Sequence, residues 1–408
     1  MKFKAAALQA ACISALALAS AAPARAATIV LHDIGGVGSG GGAARGFQAA
    51  ADFWAGMLTN NVTIDLNVGY NHLGAAVLGR TTNFQTTAKV ADVETRLRAG
   101  GTTSLDVLAA DHLPAVKPSG AIEMITSGYQ YPPGHLGVDA RQQVFDDNET
   151  FNNRLLNVNT AEAKALGLAV APGATDGQIE FSSDFAFDFD PTDGIAPGAV
   201  DFTAVAAHEI GHALGFVSGV DLYDAIGAPF GPDAATLANL PVENMTWGTP
   251  LDLFRYSANP SGVGGGGPRL DWSVGTDSYF SIDGGANPFA GGYFSTGRYN
   301  GDGFEASHWR DNLYVPGGGC PTHTPALGIM DPTFSACEGG IVTALDLAAF
   351  DAIGWNTRVD ALAEPGFRFS TADIYRLAAA PEPGAWSLMI SGFSLAGWSL
   401  RRRARQAA

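Results

Sequence analysis

The pentapeptide His208-Glu209-Ile210-Gly211-His212 carries the clearest chemistry in this chain. Positions four apart share one face of an α-helix, so both imidazoles would reach the same metal ion, and the Glu209 carboxylate would face a water bound to it. The alternative is a pair of core histidines with satisfied hydrogen bonds. The spacing predicts a catalytic metal site with Glu209 as its acid/base group.

The element that must position these side chains is a helix within residues 201–216. The residues before the pentapeptide are small and apolar, as in a helix packed inside a domain. Asp201 is a residue type that caps helix N-termini, and Gly215 is the type at which a chain leaves a helix through a left-handed turn. We therefore expect one buried helix between them.

A catalytic zinc site needs a third protein ligand and keeps a further position open for water. In the compact pattern His-Glu-x-x-His-x-x-Gly-x-x-His this ligand would fall at position 218, which is a serine here. Two candidates remain. Asp221 follows the helix closely, and His308 lies much further along, in Ala306-Ser307-His308-Trp309-Arg310.

These motifs, with Gly328-Ile329-Met330-Asp331-Pro332 after them, resemble the metzincin zinc proteases and within them the leishmanolysin-like branch. That branch has the same helix and glycine, a long insertion, a His-Trp pair and a methionine turn under the metal. The resemblance covers roughly residues 43–355, although only the motifs are specific. It implies one zinc ion, the ligands His208, His212 and His308, the acid/base Glu209, the turn glycine Gly215 and the turn methionine Met330. No tyrosine closely follows Met330, so the oxyanion-stabilising tyrosine of some metzincins has no evident counterpart.

The expected function is a secreted zinc endopeptidase acting on protein or peptide substrates. Zinc on three imidazoles would lower the pKa of its water, and Glu209 would take the proton as the water attacks a peptide carbonyl. By analogy with the family, an extended peptide would lie along an exposed strand edge, for which residues 178–183 are the candidate. The alternative from another class is a catalytically silent surface or matrix adhesion protein that retains the fold.

Hydrophobic periodicity predicts the surrounding elements. Strands are expected at 28–33, 62–68 and 178–189, the last with a bend after Ser183, and helices at 43–58, 92–98, 161–166 and 343–353. This order indicates an α+β fold with a mixed, mostly parallel sheet backed by helices. Residues 27–359 are predicted to form one protease domain with a loop-rich insertion at about 217–303, followed by a linker or extension at 360–380.

The N-terminal 26 residues have the character of a secretory signal peptide. Lys2 and Lys4 precede an apolar run, and Ala24-Arg25-Ala26 is a small-x-small cleavage site. The formal net charge of the chain is −17, which argues against a nucleic-acid partner. Of its three cysteines, Cys12 lies in the signal, so Cys320 and Cys337 are predicted to form one disulfide in the exported protein.

The C-terminal residues 381–408 resemble the PEP-CTERM sorting signal of Gram-negative bacteria. Pro381-Glu382-Pro383 is followed by an uncharged apolar run and then by Arg401-Arg402-Arg403. The apolar run is of the length of a transmembrane segment, and the arginines would stay in the cytoplasm. The resemblance implies inner-membrane insertion, cleavage by an exosortase, and release to the cell surface or extracellular matrix. The alternative is a permanent anchor.

Three weaker patterns have structural explanations. Gly36-x-Gly38-x-x-Gly41 fits a dinucleotide-binding loop, but the run is so rich in glycine that a strand-helix connection is favoured. Residues 188–194 have the acidic density of a calcium loop without the spacing of an EF-hand, which favours a solvated turn over calcium. The remaining histidines outside the motifs are expected to be structural: His32, His72, His112, His135 and His323.

Overall fold

In a computed structural model of the chain, the described residues are 27–74, 77–228, 234–315 and 322–379. The strands are β1 (Thr28–Gly35), β2 (Thr63–Asn71), β3 (Gly79–Asn83), β4 (Gln85–Lys89), β5 (Met124–Gly128), β6 (Asp139–Asp146), β7 (Leu155–Asn159), β8 (Gly177–Ser182), β9 (Phe187–Asp188), β10 (Val200–Asp201), β11 (Arg255–Ser257), β12 (Arg269–Leu270), β13 (Ser278–Phe280), β14 (Tyr314–Val315), β15 (Thr322–His323), β16 (Ile341–Thr343) and β17 (Arg368–Ser370). The α-helices are α1 (Gly42–Met57), α2 (Val90–Gly100), α3 (Ser104–Asp111), α4 (Phe151–Arg154), α5 (Thr160–Ala165), α6 (Phe202–Ala213), α7 (Val220–Gly227), α8 (Ala234–Leu237), α9 (Ala344–Ala352) and α10 (Thr371–Ala379).

The largest sheet has the strand order β1–β2–β8–β3. β1 and β2 are parallel, as are β2 and β8, whereas β3 runs antiparallel to β8. In this register Val68 lies opposite Ile179, and Ile179 lies opposite Thr81. The predicted mixed, mostly parallel sheet with helices around it is therefore confirmed.

The prediction that residues 178–183 form an exposed edge is wrong. β8 is hydrogen-bonded to β2 on one side and to β3 on the other, so β3 occupies the outer position. The predicted strand over 178–189 also divides, because β9 pairs with β10 in a separate sheet. Alternating polarity reports which face of a strand is buried and carries no information about which edge is paired.

Helices α1 and α6 pack together over the sheet through an aromatic cluster. The ring centroids of Phe47 and Phe181 lie 4.7 Å apart, and those of Phe181 and Phe202 lie 4.5 Å apart. Gly46 allows this close approach, since a Cβ at that position would lie 2.4 Å from the Phe202 ring. The Trp54 indole donates a hydrogen bond of 2.9 Å to the Ala207 carbonyl. Helix α6 is therefore buried from its first residue, well before its two histidines.

The described part of the predicted insertion, residues 217–228 and 234–303, consists of short elements and loops. It contains α7, α8 and the antiparallel sheet β12–β11–β13. Its fully buried aromatic side chains include Trp247, Trp272 and Phe280. The Trp272 indole donates to the Asp252 carbonyl at 2.8 Å. The segment is loop-rich, as predicted, and these three aromatic residues belong to the core of the molecule.

The segment predicted as a linker or extension is packed on the domain as far as Ala379. β17 pairs antiparallel with β16, and α10 packs against α1. The Thr371 hydroxyl donates to the Asp201 carboxylate at the start of α6. Residues 360–379 are therefore integral to the fold.

The predicted terminal sorting segments, residues 1–26 and 381–408, lie outside the described residues. Among the residues that are described, helices long and apolar enough to cross a membrane are absent.

Candidate active site

Helix α6 forms as its sequence predicts. The Asp201 carboxylate caps its N-terminus by accepting the Ala204 amide at 3.1 Å. At the other end Gly215 has a φ of 117°, a conformation that favours glycine. Every residue of α6 is buried, so the two histidine side chains are almost completely shielded from bulk solvent.

His208, His212 and His308 form a buried group whose ligand atoms lie within 4.8 Å of one another. Their Nε2 atoms are 3.0 Å apart between His208 and His212, 3.2 Å between His212 and His308, and 3.3 Å between His208 and His308. Four ligands at about 2.0–2.1 Å from a tetrahedral zinc ion lie about 3.3–3.4 Å apart. The spacing of the three nitrogens therefore fits zinc.

Each imidazole presents an unprotonated nitrogen to this centre. The Nδ1 atoms face carbonyl oxygens, that of Ile329 at 2.8 Å for His208, of Phe216 at 2.7 Å for His212 and of Glu305 at 3.1 Å for His308. A carbonyl only accepts, so Nδ1 carries the proton and the Nε2 lone pairs face one another. Three convergent lone pairs need a cation between them.

Burial also keeps these imidazoles neutral. Loss of hydration lowers the pKa of His208 well below its ordinary value and lowers the pKa of His212. The same cause, with repulsion from His212, lowers the pKa of His308 to about 3. Because a metal ligand must be the neutral imidazole, the site is prepared for a metal throughout the neutral pH range.

Glu209 lies between His208 and His212 on helix α6, and its carboxylate lies against strand β3. Its Oε2 atom accepts a hydrogen bond of 2.6 Å from the Thr81 hydroxyl. Gly79 leaves room for the carboxylate, since a Cβ there would lie 2.6 Å from Oε1. Burial raises the pKa of Glu209 to about 7, although the Thr81 bond opposes this shift. A carboxylate with a pKa near neutrality can both accept and return a proton.

Met330 packs beneath helix α6. A Cβ on Gly211 would lie 2.5 Å from the Met330 sulfur, so glycine is required for this contact. The Met330 carbonyl accepts the Trp309 amide at 2.9 Å, which ties this segment to the one that carries His308. Ile329, Met330 and the preceding residues thus form the floor of the histidine group.

Asp221, the alternative third ligand, does not lie in this group. Its carboxylate accepts the Ala306 amide at 2.5 Å and the Ser307 amide at 3.2 Å, and it also accepts the Ser307 hydroxyl. Its oxygens are therefore occupied by the segment just before His308. The third imidazole, that of His308, comes from that segment, which lies far from α6 along the chain.

The other predicted residues lie elsewhere. Cys337 is disulfide-bonded, and its predicted partner Cys320 lies outside the described residues, so that pairing stays a prediction. His323 lies 3.0 Å from Glu338. His32 contacts Asp65, and His72 contacts Asp184. His112 contacts the Leu108 carbonyl, and His135 stacks on the Tyr129 ring.

The two alternative loops are closed on themselves. The Asp33 carboxylate accepts the amides of Gly35 at 2.8 Å and of Gly38 at 2.9 Å, and so occupies the amides that a dinucleotide phosphate would need. Asp188 accepts the Asp190 and Ala196 amides at 3.0 and 2.8 Å, as in a solvated turn. Calcium at residues 188–194 stays the alternative to the predicted solvated turn.

Two residues at the site were missed by sequence reasoning. Thr81 was missed because a hydroxyl in a polar strand has no distinctive spacing. Asp346 lies within the predicted helix 343–353, where it completes a capping box with Thr343. Its buried carboxylate also accepts the Ile329 amide and the Trp309 indole, both at 2.9 Å. It therefore links the Met330 and His308 segments.

This geometry agrees with a comparison against protein families. Residues 131–222 match the family described as Matrixin. The match supports a metzincin-type metalloprotease, and the mixed fold and the three-histidine group are consistent with the zinc that matrixins use. The matched stretch includes α6 and ends before His308. No curated protein and no solved structure matches the chain.

Proposed function

We propose that this protein is a secreted zinc-dependent endopeptidase with Glu209 as its general base. The single observation that carries the proposal is the convergence of three neutral imidazoles, two of them from the helix that also carries the buried Glu209. The Matrixin match over residues 131–222 supports the same class, and protein or peptide substrates follow from it.

His208, His212 and His308 would hold the zinc ion through their Nε2 atoms. A zinc ion held there would lower the pKa of a water molecule and polarise the substrate carbonyl. Glu209 accepts the proton of the attacking water on its carboxylate and then donates it to the leaving amine. Thr81 orients that carboxylate through the bond to Oε2. The Nδ1 bonds to backbone carbonyls keep the imidazoles in the tautomer that metal binding requires.

The outer strand β3 is the candidate position for an extended substrate. One edge of β3 is hydrogen-bonded to β8. Its other edge pairs with no strand among the residues that the structure describes. Gly79 and Thr81 of this strand contact Glu209, so a peptide added along the free edge would lie near the reacting centre. This replaces β8 as the proposed substrate strand.

The leishmanolysin-like branch is supported by the position of the third histidine. His308 follows a long insertion and directly precedes Trp309. Met330, packed against Gly211, would be the turn methionine of this branch. A Cys320–Cys337 disulfide would flank that turn on both sides, and Cys337 is disulfide-bonded. The predicted pair would limit movement of the floor of the site.

Export of the protein is proposed from its terminal segments. Residues 1–26 would direct secretion, and residues 381–408 would insert in the inner membrane and meet an exosortase-type sorting enzyme. The final location would be the surface or extracellular matrix of a Gram-negative bacterium. Mass spectrometry of the secreted protein should show a chain that ends near Pro381-Glu382-Pro383, because the sorting enzyme removes the segment that follows.

Substitution of the general base tests the function. The Glu209→Gln variant should retain about one zinc per chain by elemental analysis and lose proteolysis of an unfolded substrate by a factor of roughly 10²–10⁴, the usual contribution of a general base. The wild-type protein, with zinc, must cleave the same substrate. Equal behaviour of the two proteins in every cleavage assay would overturn the proposal and favour a binding or adhesion role.

A further inference from the structure

The segment that carries His308 needs an anchor outside itself. His308 has a local bond from its Nδ1 to the Glu305 carbonyl at 3.1 Å, but its position relative to α6 depends on contacts to distant parts of the chain. Imidazole nitrogens must be placed within tenths of an ångström to share one ion. Contacts that orient the residues just before His308 would therefore control the metal affinity.

Asp221 makes these contacts from the first turn of α7. The Ala306 amide donates a hydrogen bond of 2.5 Å to this half-buried carboxylate, and the Ser307 amide donates one of 3.2 Å. The Ser307 hydroxyl donates to it as well. Both peptide N–H groups immediately before His308 thus point at one side chain. This fixes the peptide planes that aim the imidazole.

The same segment is bound to the chain that leaves α6. The Ser307 hydroxyl accepts the Ser218 amide at 2.8 Å while it donates to Asp221. Ser218 in turn donates its own hydroxyl to Asp252 at 2.6 Å. Shortly before it, the Phe216 carbonyl accepts from His212 at 2.7 Å. Residues 216–221 therefore contact both the second ligand and the segment of the third.

We infer that Asp221 is a positioning residue, which holds His308 in the three-imidazole group by binding the Ala306 and Ser307 amides and the Ser307 hydroxyl. The inference rests on the proposed zinc site. At position 218, where the compact pattern has its third histidine, the backbone amide instead donates to Ser307, the residue before His308.

Asp224 provides a matched control on the same helix. It is a buried carboxylate that, like Asp221, accepts two backbone amides, those of Tyr299 at 2.8 Å and Asn300 at 2.9 Å. The segment that it binds carries no metal ligand. Asp224→Asn and Asp221→Asn therefore make the same chemical change, and each places an amide NH₂ against backbone donors.

The experiment measures zinc affinity by chelator competition and the visible spectrum of the Co²⁺-substituted full-length protein. Asp221→Asn should weaken zinc binding by about 10–100-fold, as is typical when a partner that orients metal ligands is lost, and alter the Co²⁺ bands. Asp224→Asn should lower thermal stability but leave both metal readouts close to wild type. His308→Ala sets the result expected for complete loss of the third ligand.

A zinc affinity and Co²⁺ spectrum of Asp221→Asn equal to those of Asp224→Asn would overturn the inference, whether both variants resemble wild type or both are weakened. If Asp221→Asn does not fold, Ser307→Ala removes the bridging hydroxyl and should still weaken zinc binding several-fold; an unchanged affinity would also overturn it. Failure of wild-type protein to bind zinc or cleave peptides is a different result, which contradicts the proposed function itself.

Discussion

At the scale of single residues, the Glu209 carboxylate depends on one hydroxyl for its orientation. The Thr81 hydroxyl oxygen also lies 2.9 Å from the Glu209 carbonyl oxygen. The hydroxyl proton is therefore shared between two acceptors of Glu209, its carbonyl and its carboxylate. Burial of the carboxylate increases the strength of each remaining hydrogen bond. The position of the general base is therefore set by a strand, although the base itself lies on a helix.

Replacing this hydroxyl should lower activity without removing the metal site. A hydrogen bond to a charged group contributes about 1.5–3 kcal/mol, so Thr81→Val should lower kcat by about 10–100-fold with zinc content unchanged. Steady-state peptide hydrolysis measures the effect. Thr82→Val is the control, because Thr82 is the next residue of β3 and its side chain is exposed. Equal rates for both variants would show that Thr81 does not orient the base.

At the scale of elements, the connection between α6 and α7 packs directly against the backbone of the loop that contains Trp247. A Cβ on Gly219 would lie 2.1 Å from the Trp247 carbonyl oxygen. The φ of Gly219 is −67°, which any residue adopts, so glycine is needed here only for space. The contact fixes α7, and with it Asp221, against the insertion.

We expect Gly219→Ala to be destabilising, because the backbone of Trp247 cannot move aside as a flexible side chain would. Overpacking of this kind costs about 1–3 kcal/mol in the free energy of unfolding. The matched change Gly56→Ala lies in α1, where a Cβ would contact nothing within 4 Å, and should stabilise by about 0.4–1 kcal/mol. Urea unfolding of both variants measures the difference. A neutral Gly219→Ala would contradict the close packing.

At the scale of the whole molecule, the protein combines a net charge of −17 with carboxyl groups buried in its interior. Burial raises the pKa of Glu94 and of Asp351 to about 7. Glu162 is the extreme case: it is completely buried, and the backbone amide of Asn159 offsets only part of its lost hydration. Burial raises its pKa well above the ordinary value.

This shift predicts a dependence of stability on pH. The folded state keeps the Glu162 proton at pH values where the unfolded chain has released it, so stability falls as pH rises above the ordinary glutamate pKa, by up to about 1.4 kcal/mol per pH unit until the folded pKa is reached. Glu162→Met removes this contribution and preserves much of the volume. Urea unfolding at pH 5 and pH 8 should show the variant gaining on the wild type as pH rises. A constant difference would mean that the carboxyl group does not titrate as its burial implies.

Much of this molecule was predictable from local sequence. Helix α6, its Asp201 cap and the left-handed Gly215 follow from residue type and spacing over a few turns. The capping box of Thr343 and Asp346 and the strands β1 and β2 follow in the same way. These features depend on hydrogen bonds and side-chain periodicity between near neighbours, which a sequence displays directly.

The sequence by itself determined the paired histidines, the glutamate between them and the helix that presents them. Tertiary structure decided that His308 and not Asp221 completes the imidazole group, that β3 and not β8 is the outer strand, and that Thr81 meets the general base. The physical reason is chain closure. Each of these contacts joins residues separated by a long stretch of chain, and their pairing depends on how the intervening elements pack and not on any pattern among neighbouring residues.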